Sequence, residues 1–461
     1  VTRVAVLGGG ISGLTAAFRL RTLLGDGAVI DLYESSPVLG GTLRSADLAG
    51  RRVDVGAEAF LVRRPEATAL IAELGLTRHL VHPGGLGPNL LSGGVLRPMA
   101  RPTVMGIPGD LEVVRHLAEP DDLRRMIDEP HRPFDWQPGQ DISVGELVGD
   151  RFGRSIVDRS VDPMLSGVYS ARADDLGLRT VVPALAARLD AGAPSLTAAV
   201  TDLLATSIGS GPVFGALAGG YRELVDELAR RSGATIRIGV GVERLERTVT
   251  GWQVDGTGYD GVVAALPAPV LSRLCATTPE VAGPLGRVDV SGSAMVALAL
   301  DPEIALPELS GVLVASDESV VRAKAFTFST RKWTHFADDA ALVRVSFGRY
   351  GAGVADVPDS QLIEWATTDL STVIALSGGG GDSVEPRDAV VQRWPAGLPR
   401  YAPGHASVVA EIDRDRPRGL VLAGATYQGV GVPACIGRAD AAARMLVAEL
   451  SGDEPVGAHQ R

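Results

Sequence analysis

The sequence predicts a mixed α/β protein: a doubly wound parallel-sheet domain assembled from separate stretches of chain, interrupted by an antiparallel-sheet domain and a helical domain. Three observations predict it. Residues 4–7 (VAVL) run straight into a glycine turn and a helical apolar pattern at 14–24. A second strand, glycine turn and helix return at the far end, at 420–424 and 434–450. The two long stretches between them differ in period: about 96–210 is polar, helix-rich and punctuated by proline, while about 285–405 holds alternating apolar strands such as 294–300 and 342–347. At 461 residues the chain exceeds what one hydrophobic core ordinarily supports, which agrees with two or three domains.

Composition narrows the function. Apolar residues make up 45% and charged residues 21%, and no run of eighteen apolar residues occurs, so a membrane-spanning enzyme is not expected. A net charge of −11 argues against docking on nucleic acid phosphates or anionic lipid. Cys275 and Cys435 are too far apart for a CxxC pair, and the seven histidines, His79 and His82 among them, lack ligand spacing, so no metal site is expected. Two separated cysteines and no visible leader before residue 4 read as a cytoplasmic chain.

The first element is a strand, turn and helix in GxGxxG spacing. Gly8 permits the tight turn, Gly10 lets a pyrophosphate approach the backbone, and Gly13 allows close helix–strand packing. Ile11 and Ser12 then stand in the first helical turn, where free N–H groups and the positive dipole end meet phosphate. The second strand, 29–33, ends at Glu34, where a carboxylate accepts hydrogen bonds from an adenosine ribose and repels a 2′-phosphate. Gly40, Gly41, Thr42 and Arg44 follow, then Asp54, Gly56, Ala57 and Glu58.

The middle of the chain returns to the same pattern. Residues 214–228 read as a Gly–Gly turn entering an amphipathic helix, followed by strands at 235–238, 240–245 and 252–254 and a closing strand within 259–267. At the far end Gly424, Val430, Gly431 and Val432 lie in a glycine turn that leads into the last helix, whose N-terminus would favour negative charge.

The extended glycine fingerprint at 8–58 and the C-terminal YQGVGVPACI at 427–436 resemble the FAD-dependent amine oxidase superfamily. The segments VDPMLSGVYS (161–170), FLVRR (60–64), MGIP (105–108), FSTRKW (328–333) and QRW (392–394) are similar to its protoporphyrinogen and coproporphyrinogen III oxidases, in the Gram-positive and actinobacterial branch. The resemblance implies a discontinuous Rossmann-like FAD-binding domain from 1–60, 211–284 and 406–461, a substrate domain from 61–95 and 285–405, and a helical insertion at 96–210. It places Gly40 and Gly41 near the diphosphate and Gly56, Ala57 and Glu58 near the flavin. The family's basic residue after the glycine pair is replaced by Thr42, leaving Arg44 as a candidate for its role. A backbone group at Val242 meets the adenine, unless Val242 is an ordinary core residue.

The implied activity is oxidation of coproporphyrinogen III to coproporphyrin III with noncovalent FAD and O2 as acceptor, in haem biosynthesis. Implied partners are the porphyrinogen, O2 and a transient hand-off to ferrochelatase, with at most peripheral membrane contact. Protoporphyrinogen IX oxidation is the alternative within the family; a flavin amine oxidase and a noncatalytic FAD-binding protein are the alternatives outside it. Candidate substrate contacts are Arg63 and Arg64 for carboxylates, or else a solvated pair; Asn89, near the place of a propionate-binding arginine in plant and animal relatives; and Trp333, against the macrocycle or in the core. Lys332 is either the amine-oxidase lysine near flavin N5 or a strand residue beside Trp333. No catalytic residue is assigned, because pyrrole nitrogens release their own protons.

Overall fold

The computed structural model describes residues 1–206, 211–336, 340–380 and 383–452. The expected end of the helical insertion, at 210, and the tail from 453 lie outside the described residues.

In chain order, strand β1 (Arg3–Leu7) enters helix α1 (Ile11–Leu24) and returns as β2 (Val29–Glu34). A hairpin follows, β3 (Ser45–Leu48) and β4 (Arg51–Asp54), then β5 (Pro88–Ser92) and β6 (Val95–Pro98). The helical stretch contains α2 (Asp162–Tyr169). Strands β7 (Thr235–Ile238) and β8 (Gly261–Ala264) follow, then β9 (Val290–Leu300), β10 (Gly311–Val314), β11 (Ala325–Phe328) and β12 (Ala341–Phe347). Helix α3 (Asp359–Leu376), β13 (Asp388–Pro399), β14 (Leu420–Leu422) and α4 (Val432–Ser451) complete the trace.

Three separate stretches build one parallel sheet, in the order β7-β2-β1-β8-β14. Strands β1, β8 and β14 are almost wholly apolar because α1 and α4 cover one face and a second core, around Trp252 and Leu271, covers the other. The turn between β1 and α1 is as tight as the glycine spacing predicts: a Cβ on Gly13 would stand 1.8 Å from the Gly8 carbonyl oxygen.

The second sheet runs β13-β9-β12-β11-β10-β5-β6 and is antiparallel except for the β5–β10 pair. β5 precedes the helical stretch and β10 follows it, so no hairpin dictates their direction. Alternation sorts this sheet's two faces. Val312, Phe326, Val345 and Val296 lie in register and pack on Leu362 and Leu370 of α3. On the opposite face Leu313, Ala325, Ser346, Met295 and Gln392 form one row across five strands. The helical stretch has its own core, including Phe152, Leu165 and Leu185, into which Leu90 and Leu313 of the sheet insert.

The expected strand at 240–245 is displaced: regular pairing begins only at Leu245, in a strand Leu245–Arg247. Other acceptors take the preceding N–H groups, Glu34 and Ser36 carbonyls those of Val240 and Gly239, and the Asp255 carboxylate those of Glu243 and Arg244. Among the described residues no helix is long and apolar enough to cross a membrane.

Candidate functional site

At the C-terminal edge of the parallel sheet the backbones of Gly9–Gly10 and Gly40–Gly41 abut: the Gly40 N–H donates to the Gly9 carbonyl at 2.9 Å. A Cβ on Gly10 would project into the space between them, 3.8 Å from the Gly41 Cα. Gly10 is also the N-cap of α1 and offers no side chain to its first turn, so the N–H groups of Ile11, Ser12 and Gly13 are not capped by it. This is a cradle with the chemistry of a diphosphate site.

The residues around the cradle fit an adenine dinucleotide. The Glu34 carboxylate accepts the Gly9 N–H through Oε2 and the Ser36 N–H through Oε1, each at 2.7 Å, and its remaining lone pairs suit ribose hydroxyls. Gly241 lies beside Ser35, which brings Val242, half-buried against the core around Trp252, to the neighbourhood of Glu34. Arg44 Nη2 donates to Ser36 Oγ at 3.2 Å, while its buried Nε has no acceptor among the described residues, an orphan that an added anion would satisfy. Thr42 is exposed and its carbonyl accepts the Ala57 N–H.

A second helix terminus converges on the same edge. Ser12 Oγ donates to the Cys435 carbonyl at 3.3 Å, joining the first turns of α1 and α4. The N-cap of α4, Gly431, makes no side-chain cap, and Gly424 at the end of β14 has open space around it. Val432 packs in the α1 core and Val430 against the helical core, so the 424–432 turn lies between the two. Burial pushes the Cys435 thiol up to about 11, so it stays protonated and unreactive.

Glu58 ties the glycine segment to the second sheet. Its carboxylate accepts from Ser329 Oγ at 2.8 Å and pairs with Lys332 Nζ at 2.7 Å and Arg344 Nη1 at 3.2 Å. Burial alone would raise its pKa, but the two cations and these hydrogen bonds outweigh it and hold the carboxyl well below the ordinary range. Arg344 Nη2 also donates to the Gly56 carbonyl, and a Cβ on Gly56 would come within 3.2 Å of the Trp394 ring. Asp54, two residues earlier, is pushed up to about 6 by burial, which outweighs hydrogen bonds from Ser45 Oγ and the Tyr221 N–H.

Beside this seam the row Leu313–Ala325–Ser346–Met295–Gln392 is half-buried along its whole length. At its β10 end stands α2, where a Cβ on Gly167 would lie 3.7 Å from Leu313 and Val168 is 42% exposed. Two residues beyond its β13 end stands Trp394, against Gly56. The row crosses four interstrand gaps, roughly 19 Å at about 4.8 Å each. The result is a half-buried, mostly apolar strip of sheet with α2 at one end and the glycine segment at the other, which we read as the floor of a cleft.

The substrate candidates distribute unevenly around this cleft. Asn89 lies in register with Val312, on the face that packs against α3, and so is turned away from the cleft. Trp333 is 1% exposed and belongs to the seam with Glu58. Lys332 sits on a short helix, Ser329–Lys332, committed to Glu58. Arg63 and Arg64 are exposed between a short strand, Phe60–Leu61, and the helix Pro65–Glu73; Arg64 pairs with Glu66, and its charge is felt at Cys435, close to the start of α4. Arg344 is the addition that sequence reasoning missed, and Trp394, quoted there only within the QRW segment, was given no role. A lone arginine inside the apolar strand ALVRVSF was the available signal for Arg344, since a buried cation requires an anion.

Comparison with known proteins agrees with this geometry. The family model described as flavin containing amine oxidoreductase matches residues 11–447. The chain is 46% identical over 452 residues to a coproporphyrinogen III oxidase of Mycobacterium tuberculosis, covering 96% of this chain and 97% of that one. It is 27% identical to the coproporphyrinogen III oxidase of Bacillus subtilis, covering 95% and 96%. Among solved structures, an Exiguobacterium protein provisionally assigned as a protoporphyrinogen oxidase superposes with a TM-score of 0.84 at 28% identity, covering 98% of this chain and 99% of that one.

Proposed function

From a chain that belongs to the flavin containing amine oxidoreductase family, we propose an FAD-dependent oxidation of coproporphyrinogen III to coproporphyrin III in haem biosynthesis. The observation that carries the reading is the cleft, whose half-exposed row ends against the Gly56 segment and Trp394. A floor of roughly 19 Å accommodates a tetrapyrrole, and the exposed flank of α2 at Gly167 and Val168 covers it with apolar surface.

FAD, when bound, would supply the two-electron acceptor for a hydride from a meso carbon, with O2 as the final acceptor. Three such oxidations remove six electrons and six protons from the porphyrinogen and reduce three O2 to three H2O2. The uncapped first turn of α1 would hold the diphosphate and Glu34 the ribose, and the uncapped first turn of α4 would favour negative charge on the cofactor. Met295, Leu313 and Val168 exclude water from the cleft and hold the reacting carbon in place. No protein base is needed, since a pyrrole N–H releases the proton that accompanies each hydride. The product passes to ferrochelatase in the cytoplasm, with at most peripheral membrane contact.

Anaerobic mixing tests the class. Coproporphyrinogen III should bleach the visible flavin band, while primary amines and polyamines leave it intact. Bleaching by amines alone would indicate an amine oxidase, and bleaching by neither a noncatalytic flavoprotein.

A further inference from the structure

Behind the Glu58 cluster lies a cavity at the seam between the β3–β4 hairpin and the second sheet, lined by Asp54, Glu58, Ser329, Trp333, His335 and Arg344. Its polar groups are unbalanced. Both Glu58 oxygens are engaged by Ser329, Lys332 and Arg344, and the Asp54 oxygens by Ser45 and the Tyr221 N–H. Arg344 is 7% exposed and Trp333 1%, yet among the described residues Arg344 Nε and Trp333 Nε1 have no acceptor, and the buried His335 Nδ1 has no partner either. Leaving a buried donor unpaired is costly, so two such N–H groups in one cavity indicate a missing acceptor.

Charge narrows the class of ligand. Lys332 and Arg344, with exposed Arg52 on the lining, outnumber Glu58 and Asp54 even when Asp54 is ionised. Burial holds His335 toward its neutral form, so it adds no charge while its ring can still donate. Position narrows it further. Arg344 lies in the row adjacent to the cleft floor, two residues from Ser346 along β12, a spacing of roughly 6.8 Å. A carboxylate on a short side arm of a ligand in the cleft spans that distance.

We propose that the seam cavity binds a single carboxylate through Arg344 Nε–H and Trp333 Nε1–H, carried either by one arm of the tetra-acid substrate or by a small free acid. The proposal rests on the porphyrinogen reading for the first source and stands without it for the second. It supplies a recognition group for one carboxylate beside the cleft floor, separate from Arg63 and Arg64 on the exposed loop.

The test uses the FAD-loaded protein with coproporphyrin III, its tetramethyl ester and sodium formate as probes, in the parent, Trp333→Phe and Arg344→Lys. Trp333→Phe removes the indole N–H and keeps an aromatic ring; Arg344→Lys keeps the charge and removes Nε. Each should weaken coproporphyrin III about 5–10-fold by porphyrin fluorescence while leaving the ester unchanged. Formate should displace coproporphyrin III from the parent if the arm occupies the cavity. If formate instead changes tryptophan fluorescence in the parent but not in Trp333→Phe, without competing, the ligand is a free acid. Unchanged coproporphyrin III affinity in both variants together with no response to formate would overturn the proposal and leave an ordered water in the cavity. Failure of the parent to bind either porphyrin would count against the porphyrinogen reading alone, since the formate measurement is independent of it.

Discussion

Lys332 Nζ lies 2.7 Å from Glu58 Oε2, so a residue from the end of the second sheet is locked to the glycine segment of the nucleotide-binding fold. Arg344 shares the same carboxylate. Glu58→Gln would leave buried Arg344 and half-buried Lys332 without their shared anion, whereas Lys332→Met leaves Arg344 in place to balance Glu58. Removing one member of a buried pair costs about 3–5 kcal/mol, so Glu58→Gln should lower the urea midpoint markedly and Lys332→Met less. The depressed Glu58 pKa adds an acid limb: its contribution is full above the ordinary value of 4.5 and is lost as pH falls below it. Equal midpoints for the two variants would show that Arg344 does not share the charge.

Asp54 has the opposite sign. Its carboxyl moves from an ordinary 3.8 up to about 6 on folding, because burial disfavours the anion. The folded state therefore holds the proton more tightly, and the stability gained is present at low pH and lost as pH rises through about 6. Asp54→Asn removes that loss. Its stability relative to the parent should grow by about 2–3 kcal/mol between pH 4 and pH 7 and then level off, as followed by denaturant unfolding. A difference independent of pH would refute the shift.

The cradle makes the cofactor prediction specific. A valine at Gly10 fills the space between Gly10 and Gly41, so Gly10→Val should fold yet bind no FAD. Glu34→Ala frees the Gly9 and Ser36 N–H groups and removes the ribose acceptor, and should weaken FAD by roughly 10–100-fold in a flavin fluorescence titration. Cys435→Ser should leave affinity unchanged, and acid precipitation should release free flavin from both proteins. Flavin retained on the acid-denatured parent would mean that a covalent bond had formed.

These predictions also mark where sequence was sufficient. The strand–turn–helix around Gly8, Gly10 and Gly13 was legible because local spacing dictates it, and so was the start of α4, expected at 434 and found at Val432. Residues 240–245 were misread because Asp255 and the end of β2 compete for their N–H groups, which apolar alternation does not reveal. Asn89 was misplaced because its face depends on register with β10, more than 200 residues away. Arg344 was missed, and Trp394 was quoted without a role, for the same reason: their importance arises only where the second sheet meets Gly56.

Substrate preference is the final prediction. Coproporphyrinogen III carries four propionates, and protoporphyrinogen IX two propionates and two vinyls. Asn89 faces α3, so the chain gains no preference from a polar group at that place, and discrimination must come from cations that reach the cleft. Arg344 borders the floor, while Arg63 and Arg64 lie on the loop near the start of α4. Each additional carboxylate met by a charged donor contributes about 1.5–3 kcal/mol, enough for at least a tenfold preference for the tetra-acid. Steady-state oxidation of both porphyrinogens at matched concentrations, followed by porphyrin fluorescence, should give a larger kcat/KM for coproporphyrinogen III. The preference should shrink in Arg64→Ala, which removes a cation near the start of α4. A larger value for protoporphyrinogen IX would reverse the substrate assignment, because the vinyl-bearing edge would then be the one that the apolar flank of α2 and Met295 select.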